Sequence, residues 1–197
     1  AWWILTPIAI WLINYINGKY FYFQIVNKLI NLDGRKTQKI NFSLKFLVIS
    51  SACFLALFAG ANNAANAAAP IVGLELINSK DAALISGFFM ALGGLIFGGG
   101  IIENVATKIT SLSLIRAISV NFTGGTLLAV ASFYGIPISM AEIITAGIIG
   151  FSCSTSGFKE TFKKQSVYQI ISFWIFAPIL CICASFYITN LLVGLLN

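Results

Sequence analysis

Apolar runs alternate with short polar breaks along nearly the whole chain. The first run, Trp2 to Ile16, continues through aromatic-rich residues to Ile30, so residues 1–30 read as one helical unit. A polar gap follows at 31–41, where Asp33-Gly34 signals a turn. Residues 42–77 make a long apolar run that is interrupted: Phe42–Ala59 ends at an asparagine-rich stretch, and Ala67–Ile77 is a shorter second piece containing Pro70. Asn78 and Ser79 are N-cap candidates for a helix over 81–100, which Gly98-Gly99-Gly100 closes. After a more polar stretch, Glu103–Ser113, residues 114–150 repeat the interrupted pattern. Leu114–Tyr134 is apolar, Gly135-Ile136-Pro137 breaks it, and Met140–Gly150 is apolar again. Phe151–Gln165 reads as a polar loop and 166–196 as the last helix.

These runs predict an all-α, polytopic integral membrane protein, since a span needs about 20 apolar residues. Composition agrees: 58% of the 197 residues are hydrophobic and 9% charged, against about a quarter charged in soluble domains. That excludes a soluble domain with an oversized core. The cell (plasma) membrane is the expected location and lipid an expected neighbour. The net charge of +6 does not point to nucleic acid, because the basic residues sit in gaps between apolar runs, as the positive-inside rule predicts. Lys19, Lys28, Arg35, Lys36, Lys39 and Lys45 stand against Asp33 alone, which makes 31–41 a basic cytoplasmic loop. A second basic loop holds Lys159, Lys163 and Lys164 against Glu160. Both lie inside if each interrupted segment makes two passes.

The chain opens Ala1-Trp2-Trp3, without a charged region before an apolar core and a cleavage site, so no signal peptide is expected and the chain reads as part of something longer. Cys53, Cys153, Cys181 and Cys183 form no Cys-x-x-Cys pair, and there is no histidine. They read as buried small hydrophobes, with no disulfide, metal or cofactor.

The chemistry concentrates in Gly60-Ala61-Asn62-Asn63-Ala64-Ala65-Asn66-Ala67. An amide moved into hydrocarbon without a partner costs roughly several kcal/mol, so membrane chains keep such groups against each other, water or a solute. The small residues between them allow close approach. Residues 42–77 and 114–150 are each too long for one span and too short for two, and interrupted segments in corresponding places point to a transporter's binding site. Gly135-Ile136-Pro137 alone also fits an ordinary kink; a kink does not need three amides. A repeat is present as well. Trp3-Ile4-Leu5-Thr6-Pro7-Ile8 and Trp174-Ile175-Phe176-Ala177-Pro178-Ile179 share Trp-Ile-x-x-Pro-Ile. Residues 1–30 then read as the closing helix of a preceding repeat and 42–197 as a whole second one.

With these motifs the chain resembles the inorganic phosphate transporter (PiT) family. Its members carry Gly-Ala/Ser-Asn-Asp-Val-Ala-Asn-Ala in each of two repeats, and Gly-Leu-Pro-Val-Ser-Thr-Thr-His before a glycine-rich apolar segment. Gly60–Ala67 matches the first motif and Gly135-Ile136-Pro137-Ile138-Ser139-Met140-Ala141-Glu142 the second. The resemblance covers nearly the whole chain and is to the C-terminal half. It implies inverted-topology repeats and uptake of inorganic phosphate, or a similar oxyanion such as sulfate, coupled to Na⁺ or H⁺. Carried across residue by residue, it implies Asn62, Asn66 and Ser139 for the anion, with Asn63 and Glu142 at the coupling position. The implied partners are a preceding repeat or a second copy in a homodimer.

Two departures stand out. The family's aspartate is Asn63, and its Thr-Thr-His is Met140-Ala141-Glu142. Three readings follow. This half is degenerate; or Glu142 has taken over the lost charge as cation ligand or proton carrier; or Glu142 faces water at a helix start, where acids are favourable. Thr123 and Thr126, beside Gly124-Gly125, are secondary candidates or packing contacts. Glu103 with Lys108 reads as an interfacial pair, and Trp2, Trp3, Tyr20 and Tyr22 as interface anchors. The rival function is a non-transporting subunit that scaffolds a partner through an asparagine seam. No enzyme is expected, because no serine or aspartate has a base beside it.

Overall fold

The computed structural model describes residues 2–30, 34–108 and 113–196, with side chains over 2–28, 40–99 and 113–194. Every regular element among them is helical: α1 (Trp2–Ile16), a π-helical turn (Asn17–Tyr22), α2 (Phe23–Ile30), α3 (Gly34–Gly73), α4 (Ser79–Lys108), α5 (Leu114–Phe133), α6 (Met140–Ser156), α7 (Phe158–Phe162) and α8 (Gln165–Leu196). Segments of α3, α4 and α8, and the whole of α5, are long and apolar enough to cross a membrane. This is an all-α membrane fold.

The centre is built by α1, α3, α5 and α6. Ile10, Leu55, Leu128, Ile138 and Ile143 share one buried cluster, and Val120, Ile148, Phe151 and Val167 a second. Close approach of α1 to α6 depends on Gly150, where a methyl group would collide with the Trp11 carbonyl. Contacts pair Trp3 with Glu142, Trp11 with Gly150 and Gly18 with Ser154, so α1 and α6 run parallel. Asn121 reaches Ser51, and Gly125 packs on Leu55, so α5 runs parallel to α3 and antiparallel to α6. On the outside, α4 and α8 expose Leu84, Leu95, Phe173 and Phe186. Such apolar faces suit contact with lipid or another membrane segment.

Several boundaries differ from the sequence expectation. The 42–77 segment does not break at the asparagines: α3 is continuous from Gly34 to Gly73. Alanine favours helix, asparagine and glycine are tolerated, and in hydrocarbon every backbone group must be satisfied inside its own segment. For the same reason α4 runs through Gly98–Gly100 to Lys108. The 31–41 stretch is helical from Gly34; the Asp33 turn and the side chains of Arg35, Lys36 and Lys39 lie outside the described residues, as do those of Glu103 and Lys108. Most of the expected loop 151–165 is also helical, as the end of α6 and α7. The break at Gly135–Ser139 is present. Asn78 caps α4, accepting from Asp81 N at 2.9 Å. Of the four free thiols only Cys153 is buried.

Candidate functional site

Three helices, α3, α5 and α6, and one turn surround the asparagines. The end of α5 is a Schellman closure. Gly135 sits at φ +64, a conformation that costs a glycine little. Its N–H reaches Ser132 O at 3.2 Å, and Ile136 N–H reaches Ala131 O at 2.8 Å. The chain then runs extended through Pro137 to Ser139. Ser139 caps α6, its Oγ accepting from Glu142 N at 3.4 Å.

Asn62 of α3 holds this turn. Its Nδ2 donates to Ile136 O at 3.0 Å, and its Oδ1 accepts from Ile138 N at 3.3 Å, one bond on each side of Pro137. The residue is 5% exposed. Asn66, one turn on and exposed, donates Nδ2 to Asn62 Oδ1 at 3.2 Å. Pro70 brings no N–H to the carbonyl four residues back, that of Asn66. Asn63 is half-buried, with no side-chain hydrogen bond among the described residues. The two motifs singled out in the sequence therefore meet through Asn62; Asn66 joins it from the next turn of α3, and Ser139 follows Ile138 in the chain with its own bond to Glu142 N.

Glu142 faces elsewhere. Its Oε1 accepts from Trp3 Nε1 at 2.6 Å, and it lines a cavity between α1 and α8. Trp3 is thus a hydrogen-bond partner rather than a free interface anchor. Tyr22 is also drawn inward: its ring stacks edge-on with Phe151 and lies under the Arg116 guanidinium, 4.9 Å from the ring centroid. Thr123 joins a deeper network instead of the asparagine seat. Asn14 of α1, with no exposed surface, donates Nδ2 to Thr123 Oγ1 at 2.9 Å and accepts from Ser119 Oγ at 3.1 Å. Thr126 is exposed and bonds Phe122 O in its own helix. Sequence reading passed over Asn14 and Ser119. The signal was an amide inside the first apolar run, with Ser119 and Thr123 four apart on one face of α5.

The tip of the α5–α6 hairpin lies below the ends of its longer neighbours. α3 continues past Asn62 to Gly73, roughly 16 Å at 1.5 Å per residue. α8 continues past Pro178 to Leu196, about 27 Å on the same rule. Irregular backbone at that depth is tolerated where protein or a water-filled cavity surrounds it.

A family model described as the phosphate transporter family matches residues 3–185. The chain belongs to the phosphate transporter family. Among relatives, a sulfate permease, CysP, of Bacillus subtilis (strain 168) is 31% identical over 192 residues, covering 97% of this chain and 52% of that protein. A sodium-dependent phosphate transporter of Plasmodium falciparum is 31% identical over 163 residues, 75% of this chain and 24% of that protein. The chain thus spans about half the length of the first relative and about a quarter of the second. No solved structure matches it. Membership gives the meeting of the two motifs a context: this fold belongs to proteins of a phosphate transporter family.

Proposed function

We propose that this chain is one half of a secondary transporter for an inorganic oxyanion, phosphate or sulfate, and that the anion seat is the turn gripped by Asn62. The observation that carries the reading is that single grip. One buried amide from the first motif fixes the backbone of the second on both sides of Pro137. It holds the first turn of α6 in place, and a helix start offers unpaired N–H groups and the positive end of the dipole to an anion. Ser139 can still donate its O–H while its oxygen caps the helix. Asn66 supplies a second amide. No side-chain carboxylate joins these three in their hydrogen bonds, Glu142 meeting Ser139 through its backbone N–H alone, which suits an anion.

Phosphate and sulfate are both tetrahedral oxyanions, and the relatives' names divide between them. The two differ in protonation near neutral pH: phosphate carries a proton to donate and sulfate does not. A cation, Na⁺ or H⁺, drives uptake in this reading, with Asn63 and Glu142 as the candidate coupling groups. The other half of the transporter is a preceding repeat or a second copy of this one. Labelled phosphate and sulfate uptake by the full-length protein in proteoliposomes tests the proposal, with Asn66→Ala and Ser139→Ala as variants. Uptake of one anion that falls at least tenfold in each variant supports it. No uptake of either anion under Na⁺ or pH gradients sinks it, and leaves a scaffolding subunit as the better reading.

A further inference from the structure

The two Trp-Ile-x-x-Pro-Ile copies line one cavity. Trp3, Pro7 and Ile8 of α1 face Trp174, Ile175 and Pro178 of α8 across about 430 Å³. The two helices pass in opposite directions. α1 runs alongside α6, from Trp3 at Glu142 to Gly18 at Ser154. α8 runs against it: Val167 near its start belongs to the cluster that holds Ile148 and Phe151, and Trp174 further on packs against the cluster that holds Ile143 and Ala146. Equivalent segments meeting head to tail are what a two-fold axis in the membrane plane produces, and such an axis lies near mid-membrane.

Glu142 stands at this crossing and is the one charged residue among those lining the cavity. Its two oxygens differ. Oε1 takes the Trp3 indole N–H at 2.6 Å. Oε2 is out of solvent and has no partner among the described residues. α1 and α8 contain no charged residue, and α6 contains none besides Glu142. On α5 the charged residue is Arg116, which lies over Tyr22 at the far end of the bundle. On α3 the charged side chain described is Lys45, about two and a half turns before Phe54, also toward that end. None of the tyrosines and cysteines of these elements (Tyr15, Cys53, Tyr134, Cys153, Tyr168, Cys181, Cys183 and Tyr187) lines the cavity. An ionisable residue placed so marks an ion path by default.

The lining decides which ion fits. A hard metal cation takes about six or more oxygens in a cage. Here one carboxylate is set among indoles, prolines and isoleucines, and a proton needs one oxygen. We propose that the ion coupled to anion movement is a proton and that Glu142 carries it, held in place by Trp3. The proposal rests on the transport reading above and names its driving ion. On loading, one O–H bond forms at Oε2 with a proton from water. On release that bond breaks and the proton returns to water on the other side. Trp3 donates to Oε1 in both states, so the carboxyl group keeps its position while its charge changes.

The test uses the full-length protein in liposomes and two readouts. Infrared difference spectra across a pH titration should show a protonated-carboxyl band that Glu142→Gln removes, Glu142→Asp keeps and Glu160→Gln leaves alone. This readout needs no transport. In uptake, one proton per anion lets a one-unit pH gradient sustain up to about tenfold accumulation, and Glu142→Gln should bring that ratio to about one while Glu142→Asp retains part of it. Accumulation that follows a Na⁺ gradient and ignores pH overturns the proposal. So does a Glu142→Gln variant that still follows the pH gradient, or a titration with no band assignable to Glu142. A protein that moves neither anion defeats the transport reading, and with it the coupling role, even where the Glu142 band is present.

Discussion

Asn62 and Ile138 are joined across the bundle, Asn62 Oδ1 accepting the Ile138 N–H at 3.3 Å while the same side chain donates to Ile136 O. This relationship explains how a continuous helix and an interrupted hairpin make one site. The hairpin tip loses helical partners at Pro137, and an amide from α3 replaces them. Position 62 therefore needs both a donor and an acceptor, which neither a carboxylate nor an aliphatic side chain supplies.

Replacing Asn62 separates these roles. Asn62→Ala leaves the Ile136 carbonyl and the Ile138 N–H without partners in a buried setting, at a cost of roughly 1–3 kcal/mol for each unsatisfied group. Thermal unfolding in detergent should show a clear fall in midpoint, and anion uptake should fall with it. Asn62→Asp keeps the acceptor and sets a carboxylate against the Ile136 carbonyl. It should retain more stability than alanine at a pH where the acid is protonated and less where it is charged. Equal midpoints for wild type and Asn62→Ala would show that the grip contributes nothing.

A second seam should behave as structure rather than transport. Asn14 links α1 to Ser119 and Thr123 on α5 with no exposed surface. Hydrogen bonds between membrane helices contribute roughly 0.6 kcal/mol each, up to about 1.7. Asn14→Leu should lower the unfolding midpoint, and a double-mutant cycle with Ser119→Ala should show coupling. Thr126→Val, which removes only a bond to its own helix, should leave the midpoint near wild type. Additive effects of the Asn14 and Ser119 changes would break the proposed link.

Much of this was legible because polar residues in an apolar chain have few uses. The asparagine stretch, the Pro137 break and the repeated Trp-Ile-x-x-Pro-Ile segment are visible as pattern, and the structure places Asn62 against residues 136–138 and the two tryptophan segments around one cavity. The continuity of α3 was not legible. Small residues and asparagines look like a break by the standards of water, but hydrocarbon compels the backbone to stay helical. Nor was the separation of Glu142 from the asparagines. Ser139 is the extended N-cap beside the turn that Asn62 holds, whereas Glu142 already lies inside α6 and meets Trp3 of α1, a partner on another helix that spacing within residues 135–142 does not reveal. Asn14 was missed because a lone amide carries no spacing signal until its partners on α5 are known.

Helix contact predicts which small residues tolerate growth. A Cβ at Gly150 meets the Trp11 carbonyl, whereas a Cβ at Gly87 on α4 meets nothing within 4 Å. Gly150→Ala forces α1 and α6 apart, and overpacking of this kind costs roughly 1–3 kcal/mol. Gly87→Ala should be neutral or slightly stabilising, since alanine is the better helix former. Paired thermal midpoints check this. A Gly150→Ala protein as stable as Gly87→Ala would mean the two helices are not packed this closely.

The arrangement of charge gives a prediction about orientation. α3 rises from the Lys45 end, and α4 turns back after residues 74–78. α5 starts at Arg116 and α6 returns to the loop with Lys159, Lys163 and Lys164. Leu44, Ile25 and Ile115 share a pocket at this end, and Lys19 lies over the Tyr15 ring beside Phe158. The basic side chains Lys19, Lys45, Arg116 and Lys163 thus gather at one end with Glu160 beside Lys163, and Glu75 and Asp81 lie at the other with Lys80 as the basic residue there. Two-pass segments are not needed for this, because one up-and-down pair and one hairpin bring both basic loops to the same side. The positive-inside rule predicts that this side faces the cytoplasm. With the four native cysteines replaced by alanine, Glu75→Cys should react with a membrane-impermeant maleimide on intact cells. Lys163→Cys should react only after permeabilisation, and Lys45→Cys should follow Lys163→Cys. Labelling of Glu75→Cys and Lys163→Cys from the same side would overturn this arrangement, whichever anion the protein moves.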